Sequence, residues 1–260
     1  MPFLKNKPKG TLSELTYKAT ITNISRAGKQ ILTHFKTADD MPYIWRIHLG
    51  HTGWWLPGND QAKERTTRNP IADNFIHKLP VHTIRAMLVL SDGQIHHFYD
   101  PRTFSRWYVH TLAEWQEISS HEFGPDWMND PLTAGFAVSK RVRAGARTHS
   151  AKTIKTLLLD QQIAAGLGNY LVCEILHRAR VHPSTPISKI SEGQLARIIK
   201  NVPTFIAQSY ASFDHSHWQV FQRQGKLCNH CRTAYIERLP EGTRSSYFCP
   251  VCQPDEHLRS

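Results

Sequence analysis

No run of residues in this chain approaches the ~20 apolar positions that a membrane-spanning helix needs, and no amphipathic Lys-rich helix marks a membrane-surface binder. Cysteine is scarce, five in 260 residues. No signal peptide precedes them, which argues against a disulfide-stapled secreted domain. Internal repeats and low-complexity tails are absent, excluding solenoid and tail-driven architectures. Acidic residues are in deficit: 21 Asp+Glu face 32 Lys+Arg, for a formal charge of +11 and a pI near 9.6. A surplus of that size favours a polyanionic partner through counterion release, and nucleic acid is the usual one. The length accommodates two domains, each with its own core.

What is present begins with the spacing of the few cysteines. Cys228-Asn-His-Cys231 and Cys249-Pro-Val-Cys252 are separated by seventeen residues. Two C-x₂-C pairs at that separation read as a structural Zn²⁺ site, four thiolates closing a tetrahedral shell with no open position for chemistry. The competing reading, a pair of disulfides, needs an oxidising compartment. Between the pairs, Ala234 to Ile236, a Pro240-Glu241-Gly242 turn and Ser246 to Phe248 predict a β-hairpin.

The first half reads as β structure. Ile21, Ile24, Ile31, Leu32 and Phe35 flank a predicted hairpin turn at Arg26-Ala27-Gly28-Lys29. Tyr43, Trp45, Ile47 and Leu49 alternate with Ile44, Arg46 and His48. Met87 to Leu90, a Ser91-Asp92-Gly93 turn and Ile95 to Tyr99 make another hairpin. Short strands at close intervals predict an antiparallel sandwich or barrel. The second half turns helical, with segments starting near Ile154, after Gly168 and at the cap-like Ser191-x-x-Gln194. Pro203 is expected to kink or split the last of these. The stretch from Phe123 to Pro131 reads as a linker. The expected organisation is residues 1–122 β-sandwich, 123–150 linker and start of the helical domain, 151–218 helical domain and 219–260 zinc hairpin.

At this point the residues carry a resemblance. Leu159-Asp-Gln-Gln-Ile-Ala-Ala-Gly-Leu-Gly-Asn-Tyr170, followed by Glu174, Leu176 and His182-Pro183, resembles the helix–two-turn–helix of the Fpg/Nei (MutM-like) DNA glycosylases. The zinc hairpin, approached through Phe221-Gln-Arg223-Gln-Gly225 and containing Arg244-Ser-Ser-Tyr-Phe-Cys249, resembles that family's DNA-binding finger. His48-Leu-Gly-His51-Thr-Gly-Trp54 and Asp100-Pro-Arg102-Thr-Phe104 resemble two motifs of its β-sandwich. The four motifs stand in the family's order.

The resemblance implies an N-terminal antiparallel β-sandwich, a helix–two-turn–helix domain and a C-terminal zinc-finger hairpin, with duplex DNA in the cleft between the domains. It implies base-excision repair: hydrolysis of the N-glycosidic bond of an oxidised base, then strand cleavage at the abasic site. Asn169, Arg223 and Arg244 would contact phosphate, with Arg244 also assisting elimination; Asn169 read alone is equally a helix cap, and Arg244 a solvated loop residue. Arg102 and Phe104 would form the wedge that enters the duplex when a base is flipped out, although Phe104 alone could be core. His82 and Lys155 match phosphate-contacting positions, and His51 stands where the family usually has a Met. Catalytically, the family starts Pro-Glu; here Phe3 follows Pro2, and Pro8 to Lys29 matches an internal family segment. The nucleophile helix is therefore expected to be missing. Pro2 and the hairpin Lys29 are the candidate amines, and a non-catalytic binder of damaged or abasic DNA is the alternative. One structural Zn²⁺, a monomer on double-stranded DNA, no membrane partner and a cytoplasmic, nucleoid-associated location complete the expectations.

Overall fold

The computed structural model describes residues 15–50, 53–57, 81–211, 217–241 and 244–255. Pro2 and His51 lie outside them. The chain divides into two compact units, Met1–Ile118 and Ser119–Ser260.

The first unit is a two-sheet sandwich. Strands β1 (Thr20–Ala27), β2 (Gln30–Lys36), β3 (Pro42–His48) and β7 (Arg106–Thr111) form one antiparallel sheet in the order β1-β2-β3-β7. Strands β4 (Trp54–Pro57), β5 (Ile84–Val89) and β6 (Ile95–Tyr99) form the other, in the order β4-β6-β5. Both predicted hairpins are present, turning at Gly28-Lys29 and at Ser91 to Gly93. Aromatic side chains from the two sheets meet between them. Trp45 of β3 and Trp107 of β7 pack on Trp55 of β4 and Phe98 of β6, with ring centroids 4.7–6.0 Å apart. Such pairs stabilise by about 0.5–1.5 kcal/mol each beyond the area they bury.

Strand β3 departs from the alternation in its sequence, because Ile44, Trp45, Arg46 and Ile47 are all buried. Its second face is covered by helix α1 (Leu112–Glu122), which the sequence reading did not find. Trp115 of α1 is buried there, and the Arg46 guanidinium lies over the rings of Trp115 and Tyr108 at 5.6 and 5.0 Å. Cation–π contact of this kind is how an arginine is accommodated under a helix.

The second unit is built on α2 (Pro131–Arg147), α3 (Ile154–Leu158), α4 (Asn169–Ala179) and α5 (Glu192–Ala211). Helix α2 starts with an Asp130 cap, whose carboxylate accepts from Thr133 N, and a proline in its first turn. Ser191 and Gln194 form the expected reciprocal cap at the start of α5. Pro203 neither splits nor ends that helix, which runs twenty residues. Its neighbours Val202 and Phe205 are fully buried in the core, and that packing outweighs the lost backbone bond. The segment read as a linker is packed into this unit. Trp127 is a core residue, and Asp126 bridges to Ala165.

The hairpin β8 (Glu237–Glu241) and β9 (Arg244–Phe248) starts later than predicted. Residues 234–236 do not join the ladder: Tyr235 makes an isolated bridge to Leu227 instead. Pro240 lies within the strand opposite Ser245, and Gly242 of the expected turn lies outside the described residues. Among the described residues, no helix is long and apolar enough to cross a membrane.

Candidate nucleic-acid interface

In the first unit, the candidate residues sit on two turns. Lys29 is exposed at the tip of the β1–β2 hairpin, next to Gly28 in the left-handed conformation. Arg102 and Phe104 project from the β6–β7 loop, whose shape is set by Asp100. That aspartate is fully buried; its carboxylate accepts from Ser105 N at 2.8 Å, and its carbonyl accepts from Arg85 Nε and Thr103 N. Phe104 is 52% exposed and therefore not core, and the Arg102 guanidinium lies 5.1 Å from its ring centre. Gly50 backs this loop at a φ of +66°, and a Cβ there would stand 2.8 Å from the Phe104 backbone. Only glycine permits both the conformation and the approach. A cleft of about 550 Å³ opens beside the loop, lined by Arg46, His48, Phe104 and Arg106 among others. His82 is exposed on the short 3₁₀ turn Val81–Thr83.

In the second unit, the two-turn segment between α3 and α4 is stapled by one side chain. Gln161 Nε2 donates to the carbonyls of Leu159 and Leu167, and Gln161 Oε1 accepts from Gly166 N. Gly166 has a φ of +110°, a region closed to other residues. Gly168 caps α4 without a side chain, which leaves the first amides of the helix open to an anion. Asn169 is not the cap. It occupies the first helical position, where its Nδ2 donates to Ser245 O of β9 at 2.9 Å and its Oδ1 is buried without a partner.

Lys155 and Arg244 line one cleft of about 460 Å³ together with Lys152, Asp160 and Glu241. Their environments differ. Arg244 is exposed, whereas Lys155 is 2% exposed and its ammonium is held by Glu241 and Ser246. Arg223 is half-buried and braces the first cysteine knuckle through Asn229 Oδ1 at 2.9 Å.

The four sulfurs of Cys228, Cys231, Cys249 and Cys252 lie within 4.8 Å of one another. The closest pairs, Cys231–Cys249 at 3.6 Å and Cys228–Cys252 at 3.9 Å, are far too long for disulfides. They match the edge of a tetrahedron about 3.8 Å long that follows from Zn–S bonds of about 2.3 Å. Hydrogen bonds from the Thr233 side chain and backbone draw the Cys231 thiol down to about 6. Burial and neighbouring thiols push Cys249 and Cys252 upward, a cost that a bound dication would offset by stabilising their thiolates.

Sequence reasoning missed the anchors that hold the finger on α4. Glu174 is fully buried and accepts from the backbone amides of Gln219, Val220 and Phe221 at 2.8–3.0 Å. Gln253 donates to Val181 O at 2.7 Å and accepts from Cys249 N. His177 places Nε2 3.7 Å from Cys228 Sγ. Only Glu174 had a signal, its place in the helix–two-turn–helix motif.

Two family models match this chain: the formamidopyrimidine-DNA glycosylase N-terminal domain over residues 2–107 and the formamidopyrimidine-DNA glycosylase H2TH domain over residues 128–216. A formamidopyrimidine-DNA glycosylase from Rhizorhabdus wittichii is 30% identical over 251 residues, spanning 90% of this chain and 82% of that protein. The MutM (Fpg) structure from Thermus thermophilus is 26% identical with a TM-score of 0.72, covering 97% of this chain and 87% of that one. A Lactococcus lactis Fpg, non-covalently bound to DNA containing an AP site, is 26% identical with a TM-score of 0.70, covering 91% and 82%.

Proposed function

We propose that this chain, which belongs to the formamidopyrimidine-DNA glycosylase family, works in base-excision repair on duplex DNA carrying an oxidised base or an abasic site. The observation that carries the reading is the junction of α4 with β9. Asn169, the first residue of the helix that starts uncapped, bonds Ser245, whose chain neighbour is the exposed Arg244. Free helix amides and an exposed guanidinium on the strand that Asn169 holds are both suited to phosphate, where each charge-assisted bond is stronger than a neutral one. Arg102 and Phe104, exposed on a braced loop, supply a wedge for an opened base pair. The four cysteines would hold one Zn²⁺, which supplies no reaction step and fixes the finger that presents Arg244.

Strand cleavage needs an amine. Its nitrogen adds to the aldehyde carbon of the abasic sugar and water leaves, giving an imine; loss of a proton from the adjacent carbon then expels the 3′ phosphate. Lys29, exposed on an intact hairpin turn, is the amine we favour over Pro2. Borohydride trapping on an abasic duplex tests the assignment. The expected adduct disappears in Lys29→Ala and persists when Pro2 is replaced. An adduct that maps to Pro2 refutes the role of Lys29, and no adduct from the parent makes the chain a non-catalytic binder.

A further inference from the structure

Lys155 stands at a position where the resemblance implies a phosphate contact, yet its ammonium faces inward. It donates to Glu241 Oε2 at 2.6 Å and to Ser246 Oγ at 2.7 Å, partners 86 and 91 residues away. Ser246 Oγ donates to the same Glu241 oxygen at 2.7 Å, closing the triangle. Lys155 and Ser246 are 2% and 0% exposed. An ammonium carries three protons, and two are committed inside the protein. Lys152 in the same cleft is likewise paired, with Asp160 at 2.9 Å. Among the described residues, Arg244 is thus the cleft cation without a carboxylate partner.

The triangle sits where it can aim that arginine. Glu241 ends β8 and pairs with Arg244 at the start of β9, so the residue that grips Lys155 is the register partner of Arg244. On the other side, Asn169 holds Ser245. Two consecutive residues of β9 are therefore tied to two different helices, α3 and α4.

We propose that Glu241 and Ser246 are positioning residues that make Lys155 a strut rather than a phosphate contact, fixing the paired ends of β8 and β9 so that Arg244 alone presents positive charge at the cleft. The attraction between Lys155 and Glu241 is spent on docking the hairpin. Removing either partner leaves a charge uncompensated at a largely buried site, whereas removing both leaves none.

The proposal rests on the reading of this chain as a DNA-binding repair protein, so its test has a part with DNA and a part without. Binding to a duplex carrying a stable abasic-site analogue is measured by fluorescence anisotropy over a range of salt. Lys155→Met and Glu241→Gln should each weaken binding about tenfold, and the double variant should bind better than either single one. The slope of log K against log salt should stay at the parent value in Lys155→Met and fall by about 0.9 in Arg244→Ala, one phosphate contact's worth. An equal fall in Lys155→Met, or tighter binding with a steeper slope in Glu241→Gln, would show Lys155 on a phosphate and overturn the strut. Ser246→Ala, which changes no charge, covers the case in which a charge variant fails to fold; it should weaken binding with the slope unchanged. Without DNA, amide exchange at Ser245 and Ser246 should accelerate in Glu241→Gln and recover in the double variant. Unchanged exchange sinks the strut even if no duplex is bound. A parent protein that ignores the duplex sinks the functional reading while the exchange result still stands.

Discussion

Replacing Glu174 with glutamine asks how firmly the finger is tied to α4. The carboxylate is fully buried; Oε1 accepts from Val220 N and Phe221 N at 2.8 Å, and Gln219 N reaches both oxygens at 2.9–3.0 Å. A glutamine keeps one carbonyl oxygen for Val220 and Phe221 but turns an NH₂ towards the amide of Gln219. Hydrogen bonds to a charged acceptor contribute about 1.5–3 kcal/mol and neutral ones about 1 kcal/mol. The bonds from Val220 and Phe221 then weaken by about 1 kcal/mol each, and Gln219 N, left with its 3.0 Å bond to Oε1 and an NH₂ donor facing it in place of Oε2, costs about 1–3 kcal/mol more. Relief from burying a carboxylate offsets part of that, leaving about 2–4 kcal/mol. At about 1.4 kcal/mol per decade, amides of Gln219 to Phe221 should exchange roughly 30- to 1000-fold faster with hydrogen-exchange mass spectrometry as the readout. Peptides from the β-sandwich should be unaffected. Exchange within twofold of the parent would refute the anchoring role.

Three further outcomes follow from the same geometry. Metal analysis should find one Zn²⁺ per chain; a strong chelator should abolish duplex binding yet leave the near-ultraviolet dichroism of the sandwich aromatics intact, and a metal-free protein that still binds DNA would contradict this. Asn169→Ala and Arg244→Ala should each weaken binding to an abasic duplex by about 1–3 kcal/mol in equilibrium titrations, and parent-like affinity in both would remove the phosphate site. Cys173 is 1% exposed, with burial pushing its thiol up to about 11, so iodoacetamide should label the four finger cysteines after chelation and spare Cys173 until denaturant is added.

Local chemistry was legible in the sequence. The turns at Gly28-Lys29 and Ser91 to Gly93, the Ser191–Gln194 cap and the two cysteine knuckles each depend on residues a few positions apart, and each is where it was expected. Helix α2 was not seen because its apolar stripe is thin. Gly145, which contributes no apolar signal, leaves room for Ile187, whose side chain would have to shift because a Cβ would come within 2.4 Å of its Cδ1. The two-sided burial of β3 was hidden for another reason: its second cover, Trp115, belongs to a helix about seventy residues away in sequence. Lys155 is the clearest case at the candidate site. Its motif is local, but the groups that decide what its ammonium does lie on the far hairpin, at separations no short-range pattern encodes.

The distribution of tryptophan has a practical consequence for optical work. Of the seven in the chain, Trp45, Trp54, Trp55, Trp107 and Trp115 fall in the first unit, leaving Trp127 and Trp218 in the second. Intrinsic emission is therefore weighted towards the sandwich, and a finger lifting off its helix would barely change the total signal. Trp218 is the exception, because its ring sits 5.5 Å from Tyr170 of α4 and 5.1 Å from Phe221 on the approach to the first knuckle. A protein keeping Trp218 as its sole indole would turn that aromatic sandwich into a spectroscopic gauge of finger docking, read out in real time while the rest of the chain stays dark.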